Sequence, residues 1–383
     1  MKILLRAPLL TTSGYGVHSR QVFKWLLTKN IDFDVECLNW GMTPWMISHE
    51  LEDGLVSEIM NRSKKLTPPY DMTFQLQLPD EWDPKLGKIN VGMSAVVETD
   101  RCNPKWIDSC NKMDHIIVPS TFTKNVLKRS GLCTTNITVI PEWFNVNIVK
   151  NSLDDIELRL KTDFNFLLIS QLNGNNPEDD RKNIFNTIKW ICEEFKDNQN
   201  VGIVLKTNMG KGTTIDKKMT KNMLKQMISA IGKKEFPKIY LIHGNMKSEE
   251  VANIYKNKKI KCLVSATRGE GYGLPLVDAA AAGIPVVATN WSGHLDFLKD
   301  KFLKVNYQLG TIRKEKADNR IFFEGFRWAY PDEKSFKEKI SYAYNNYEKV
   351  KNNALELKSE VLDNFSESAV KNNYDKLFST LRK

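Results

Sequence analysis

Apolar runs of strand length recur along the chain, separated by segments whose apolar positions return every three or four residues. Residues 2–5 form the first run and predict a strand. A glycine-bearing loop follows, then a helix over 17–28, where Val22/Leu26 and Phe23/Leu27 make i, i+4 apolar pairs. The run 89–97 predicts a strand with Glu98 at its carboxyl end, and 116–118 predicts another. Ser120 then suits the N-cap of a helix over 121–128, and 138–140 reads as a short strand stopped by Pro141. The polar, charged segment 147–162 ends this series. A second series follows, with strands over 164–170, 201–206, 239–243, 260–266 and 284–288. They alternate with helices over 183–196, 215–231, 248–257 and 274–282. Helices over 333–347, 350–361 and 366–381 close the chain, and residues 40–70 follow neither period.

Strands alternating with helices of this length imply parallel βαβ units, and two series imply two doubly wound α/β domains. The boundary is expected near residue 155, giving domains 1–155 and 156–364. Two domains also suit 383 residues. Ligands of open α/β sheets bind beyond the carboxyl ends of the strands, so two facing sheets would put one site in the cleft between them.

Composition narrows the function classes. The six cysteines lie at no CxxC spacing and beside no histidine cluster, which argues against a zinc site or a disulfide framework and suits a reducing compartment. No Asp-x-Asp pair ends a strand, so no metal is implied. The first ten residues are too short and interrupted for a signal peptide. No stretch approaches the ~18 apolar residues of a membrane span, so a cytoplasmic protein is expected. The formal charge of +10 fits acidic partners such as nucleotide diphosphates, an anionic membrane surface or nucleic acid, and equally fits a Lys- and Asn-rich coding bias.

The strongest chemical signal is Arg268-Gly-Glu-Gly-Tyr-Gly-Leu-Pro-Leu-Val-Asp278, continuing into an Ala-rich helix and Gly283-Ile-Pro-Val-Val-Ala288. It reads as strand, glycine loop and helix. Gly271 and Gly273 permit close approach of a ligand to the backbone, Pro275 suits a first helical turn, and a helix N-terminus attracts anions. Glu270 and Asp278 supply carboxylates able to accept several hydrogen bonds from sugar hydroxyls. A second signal, Thr12-Ser-Gly-Tyr-Gly-Val-His-Ser-Arg20, follows the first strand, where backbone amides can face a diphosphate. A third is Asp180-Arg-Lys-Asn183, and a fourth Val96-Val-Glu-Thr-Asp-Arg101 with Val118-Pro-Ser120.

These segments resemble the large superfamily of retaining GT-B glycosyltransferases (group 1, family 4-like) that includes sucrose synthases and bacterial lipopolysaccharide and mannosyl transferases. The signature there is Glu, seven residues, then Glu; Glu270 and Asp278 match, with Asp in the second place. The resemblance implies the GT-B fold: two Rossmann-like domains facing a cleft, the first completed by about 365–383, where the final helix crosses back. It also implies that Glu270 contacts the donor sugar and Asp278 the ribose. Gly14, Gly16, Arg20, Arg181, Lys182 and the loop Gly271, Tyr272, Gly273, Leu274 would hold the diphosphate. The family's upstream Arg is missing, with Gln171 and Asn173 near that place, so Arg181 or Lys206 would substitute. His243 lies where relatives bind the base, and Glu98 stands where many carry a histidine. Trp328-Ala-Tyr-Pro-Asp332 matches a segment before the closing helices.

The expected activity is therefore transfer of a sugar from a nucleoside diphosphate donor, UDP-sugar favoured, with retention and with no cofactor. Glu270 and Glu98 are the expected catalytic residues. The acceptor is left open between a glycan or lipid-linked sugar, with the protein peripheral at an anionic membrane, and DNA with hydroxymethylated bases, where Trp40, Trp45 and Trp82 would flank a flipped base. The alternative class is a non-catalytic, basic nucleic-acid-binding protein with a relic donor site. No obligate protein partner is evident. His18 is expected on a helix surface, while His115 and His294 attract no functional role.

Overall fold

The computed structural model describes residues 1–150, 158–172, 177–232 and 237–382. The chain divides into two compact units: Met1–Trp143 with Asp318–Phe326 and Phe365–Lys383, and Phe144–Ala317 with Arg327–Asn364. The boundary expected near residue 155 lies outside the described residues, as does Asn173.

The first unit runs β1 (Ile3–Ala7), α1 (Gly14–Leu27), β2 (Phe33–Cys37), α2 (Leu55–Arg62), β3 (Tyr70–Leu76), β4 (Gly87–Met93), α3 (Pro104–Cys110), β5 (His115–Val118), α4 (Thr121–Ser130) and β6 (Ile137–Val139). Its six strands form one parallel sheet in the order β2-β1-β3-β4-β5-β6. Helix α12 (Glu367–Leu381) completes it. Trp25 of α1 is wholly buried, stacks on Tyr374 of α12 at 4.9 Å, and donates its indole N–H to Asp375 Oδ1 at 2.8 Å. Residues 318–326 belong here too: Arg320 pairs with Asp80 at 2.8 Å and Glu81 at 2.6 Å, and Ile321 and Phe322 pack on the cluster around Trp82 and Trp106.

Several expected boundaries move, and two of the shifts bear on the site. The glycine loop is not a separate loop before the helix: Gly14 opens α1, and the Ser13 hydroxyl caps it by accepting from the Gly16 amide at 3.0 Å. Strand β4 stops at Met93 rather than 97. The Ala95 amide donates to Tyr15 Oη at 3.0 Å, and Val96 takes a left-handed φ of 57°, so the apolar run turns away from the sheet.

The second unit runs β7 (Phe164–Ile169), α5 (Ile184–Glu194), β8 (Val201–Thr207), α6 (Thr214–Ile231), β9 (Lys238–His243), α7 (Ser248–Lys256), β10 (Ile260–Ser265), α8 (Leu274–Ala282), β11 (Val286–Thr289), α9 (Leu295–Leu298) and β12 (Leu303–Val305). The antiparallel ribbon β13 (Tyr307–Thr311) and β14 (Arg327–Pro331) follows, then α10 (Glu333–Asn345) and α11 (Tyr347–Asn364). The second parallel sheet has the order β12-β11-β10-β7-β8-β9. Phe166, Ile188, Ile203, Phe336 and Ile340 fill the core between sheet and helices. Order β10-β7 at the centre, with β8 on the other side of β7, is a topological switch point, so the carboxyl ends of β7 and β10 are where a ligand is expected. Among the described residues, no helix is long and apolar enough to cross a membrane.

Trp25→Ala would remove the ring on which α12 rests and its hydrogen bond to Asp375. We expect a loss of ~3–5 kcal/mol for a large-to-small change in a packed core, read by urea unfolding of the whole chain. A loss under ~1 kcal/mol would mean that α12 contributes little to the first unit.

Candidate functional site

Residues from several loops of the second unit converge at the carboxyl ends of β7 and β10. Ser170, Ser265, Lys182, Glu270, Pro275 and Leu276 line a pocket there. Glu270 stands in the loop from β10 to α8 and is only 6% exposed. Its amide donates to Ser292 Oγ at 2.9 Å and its carbonyl accepts from the Gly293 amide at 2.9 Å, so the loop is fixed by its backbone. Lys182 Nζ lies 2.7 Å from both carboxylate oxygens, and Arg181 Nη1 lies 3.5 Å from one. Burial alone would raise the Glu270 pKa; the charges of Lys182 and Arg181 overcome it and hold the group at about 2.

Asp180 shapes the loop that aims those cations. Its buried carboxylate accepts from the Lys182 amide at 3.0 Å and the Ile184 amide at 2.8 Å, capping α5 while Asn183 takes a left-handed φ of 53°. Arg181 also donates to the Gly269 carbonyl at 2.5 Å. Gly273 is the N-cap of α8 at φ 109°, a conformation that penalises any residue with a Cβ. Leu274 begins the helix and Gly271 is buried in the turn. The Tyr272 side chain faces the other way, packed in the core 5.2 Å from Phe297, so only its backbone belongs to the loop.

Asp278 lies further along α8, where its Oδ1 accepts from the Asn145 amide at 2.7 Å. Burial pushes its pKa up to about 7, against the lowering effect of that hydrogen bond. Asn145 also donates to the Ser248 carbonyl at 2.7 Å and thereby links the start of α7 to α8. Lys206 and His243 meet at the ends of β8 and β9. Lys206 is bound to the Gly244 carbonyl, and burial lowers its pKa. Both ring nitrogens of His243 are buried with no hydrogen-bond partner among the described residues, and burial together with Lys206 lowers its pKa.

The remaining candidates lie in the first unit. A Cβ at Gly16 would stand 2.1 Å from the Thr11 carbonyl, so α1 can begin this close to β1 only with glycine there. Tyr15 stacks on Trp40 at 3.8 Å, and its hydroxyl contacts Ser94 Oγ at 3.1 Å and the Ala95 amide at 3.0 Å. The Gly14–Gly16 turn is thereby tied to the loop carrying Glu98, which is partly exposed. Arg20 turns inward and donates to the Leu9 and Thr11 carbonyls, both at 2.9 Å, which places it under the turn rather than on its ligand face. His18 is not on the helix surface: it is 3% exposed and lies 3.2 Å from the Tyr374 hydroxyl. His115 meets Thr138 Oγ1 and His294 meets the Thr289 carbonyl, each at 2.8 Å. Of the three tryptophans expected beside a flipped base, Trp82 is buried against Gly92 and Trp40 is stacked on Tyr15, which leaves Trp45 as the exposed one. Among the described residues, no group of three or more His, Cys, Asp and Glu could hold a metal ion.

Residues 210–354 match the family described as glycosyl transferases group 1. No curated protein matches this sequence significantly. Among solved structures, the chain is similar to Alr3699/HepE from Anabaena in complex with UDP and glucose, at 14% identity and a TM-score of 0.63 over 99% of this chain and 100% of that one. It is similar to a sucrose-phosphate synthase from Thermosynechococcus elongatus, at 13% identity and a TM-score of 0.65 over 100% and 99%. It is also similar to a glycosyltransferase from Rickettsia africae, at 12% identity and a TM-score of 0.68 over 100% and 98%. These likenesses identify the GT-B fold.

Two pH-dependent outcomes follow from the site's electrostatics. Lys182→Met leaves the Glu270 carboxylate buried with one cation, Arg181, at 3.5 Å. We expect it to cost ~3–5 kcal/mol at pH 7. That penalty should shrink toward pH 3, where an unpaired Glu270 takes up a proton; a penalty independent of pH would contradict the pairing. Asp278 behaves oppositely. Its folded pKa of about 7 lies above the ~3.9 of an unfolded Asp, so the fold keeps a proton that the unfolded chain has released. Stability therefore falls as the pH rises between those values. Asp278→Asn, which keeps an acceptor for the Asn145 amide, should raise the urea midpoint at pH 8 and leave it unchanged well below the unfolded pKa. An equal gain at both would count against it.

Proposed function

We propose that this chain, which has the GT-B fold and carries a glycosyl transferases group 1 domain in residues 210–354, transfers a sugar from a nucleoside diphosphate donor to an acceptor hydroxyl with retention of anomeric configuration. The observation that carries this reading is the Lys182–Glu270 pair, set in a pocket at the carboxyl ends of β7 and β10. A diphosphate leaving group needs fixed positive charge beside it, and a sugar needs fixed acceptors. Lys182 and Arg181 supply the first and Glu270, ionised at any physiological pH, supplies the second. When a diphosphate enters, Lys182 can share its three N–H donors between phosphate oxygens and Glu270, which keeps the carboxylate anchored while the cation stabilises the departing charge. Asp278 is the acceptor for a ribose hydroxyl, and Glu98 in the first unit receives the proton of the acceptor hydroxyl. UDP-sugars are the donors to test first, because Alr3699/HepE binds UDP and UDP-glucose. No protein cofactor enters this scheme.

The test is release of nucleoside diphosphate from a panel of donors, with and without DNA containing hydroxymethylcytosine. Turnover of one donor only with that DNA assigns the acceptor to DNA. Turnover independent of DNA assigns it to a glycan or a lipid-linked sugar, and adding liposomes with such acceptors should then raise the rate. Glu270→Ala should lower kcat ~100- to 1,000-fold, as loss of a group that acts on the reacting sugar does elsewhere. No release from any donor, or full activity in Glu270→Ala, would favour a nucleic-acid-binding protein with a relic donor site.

A further inference from the structure

Arg268 touches none of the pocket, yet its guanidinium is among the largest fully buried groups in the chain. It follows β10, two residues before Glu270. Nη1 donates to the Glu178 carbonyl and Nη2 to the Pro177 carbonyl at 3.3 Å. Its charged plane lies 5.2 Å from the Trp328 ring and 4.8 Å from the Tyr330 ring, both on β14. Its own backbone continues the pattern: the amide donates to the Arg181 carbonyl at 2.8 Å, and the carbonyl accepts from the Ala329 amide at 3.0 Å. One residue thus fastens three separate stretches, the 177–182 loop, the 268–270 loop and β14.

The choice of side chain is specific. Burying a cation is costly unless its donors and faces find partners; here both terminal nitrogens and the faces do, while Nε has no hydrogen-bond partner among the described residues. The Glu178 carboxylate lies 3.6 Å away and is about half exposed, and Asp180 and Asp179 also act on the charge, so main-chain oxygens and aromatic faces hold the guanidinium together with this acidic stretch. A forked, planar cation reaches two successive carbonyls and still presents a face to the rings; an ammonium does not. We propose that Arg268 is a positioning residue: it clamps the 177–182 loop against the Glu270 loop and so fixes the separation of Lys182 from Glu270 on which transfer depends. This rests on the donor-site reading above, but the clamp itself has a readout that needs no substrate.

That readout is the titration of the Glu270 carboxyl in the free, full-length protein, followed by carboxyl-carbon NMR and assigned with Glu270→Gln. The variants are Arg268→Lys, the milder Tyr330→Leu, and Phe336→Leu as a core change at a ring that packs on Trp190. In the wild type and in Phe336→Leu the carboxyl should titrate at about 2. In Arg268→Lys it should move up by ~1 unit or more as Lys182 drifts away, and Tyr330→Leu should move it in the same direction by less. If donor turnover is present, Arg268→Lys should also lower kcat on the order of 100-fold, with KM changed far less. A merely structural arginine would lower the melting temperature, as Phe336→Leu should, without moving the titration. An unshifted Glu270 in folded Arg268→Lys, or in Tyr330→Leu should the former not fold, overturns the clamp. A shifted titration in a protein that turns over no donor keeps the clamp and rejects the transferase reading.

Discussion

A carboxylate taken out of water must be given compensating charge, and that requirement at Glu270 organises the second unit. The group is nearly excluded from solvent, and burial by itself would neutralise it. Two cations from a loop nearly ninety residues earlier keep it ionised. To present them, that loop is wound around the Asp180 carboxylate, fastened to the Gly269 carbonyl through Arg181, and backed by the Arg268 guanidinium. Each of these contacts is polar and at least partly buried, and each would be a liability if its partner moved. The site is therefore held by mutual satisfaction of polar groups more than by apolar packing.

Much of this was legible in the chain itself. The second sheet shows clearly because its strands are continuous apolar runs, as strands covered on both faces are. The Glu270 loop and the Asp180–Asn183 segment show because their residues are contiguous and carry their own turn chemistry. Strand β3 does not show, although it lies inside the first sheet. Thr73 and Gln75 interrupt its apolar pattern, and both are buried: Thr73 bonds to Asn90 at 2.9 Å, and Gln75 exchanges bonds with Asp83 at 2.7 and 2.8 Å. Those partners are side chains and loops distant enough that no local pattern announces them. The same holds for Ser292, which caps the Glu270 amide from 22 residues away.

Side-chain direction is not carried by local sequence either. Sequence gives a residue's type, whereas its rotamer depends on what lies around it. Arg20 and Tyr272 sit in the segments expected to meet the donor, yet both point into the frame. His18 is instructive because a clue existed: it stands one period before Val22 and two before Leu26, on the stripe that α1 buries. The end of β4 was hidden for a different reason, since Ala95-Val96-Val97 is as strand-prone as the residues before it. The Tyr15 hydroxyl, reaching from α1 to the Ala95 amide, and the Ser94 hydroxyl, which accepts from the Val96 amide at 3.0 Å, divert it.

The closing helix has a consequence for how such a chain is made. Trp25 leaves the ribosome about 350 residues before Tyr374 and Phe378, which cover it. The second unit ends at Asn364 and can be complete while the first still presents an uncovered aromatic face. At ~5–20 residues per second that face waits for tens of seconds. The first unit is thus begun before the second and closed after it, and nascent chains stalled or cleaved before residue 365 would carry an apolar surface suited to chaperone binding or to aggregation.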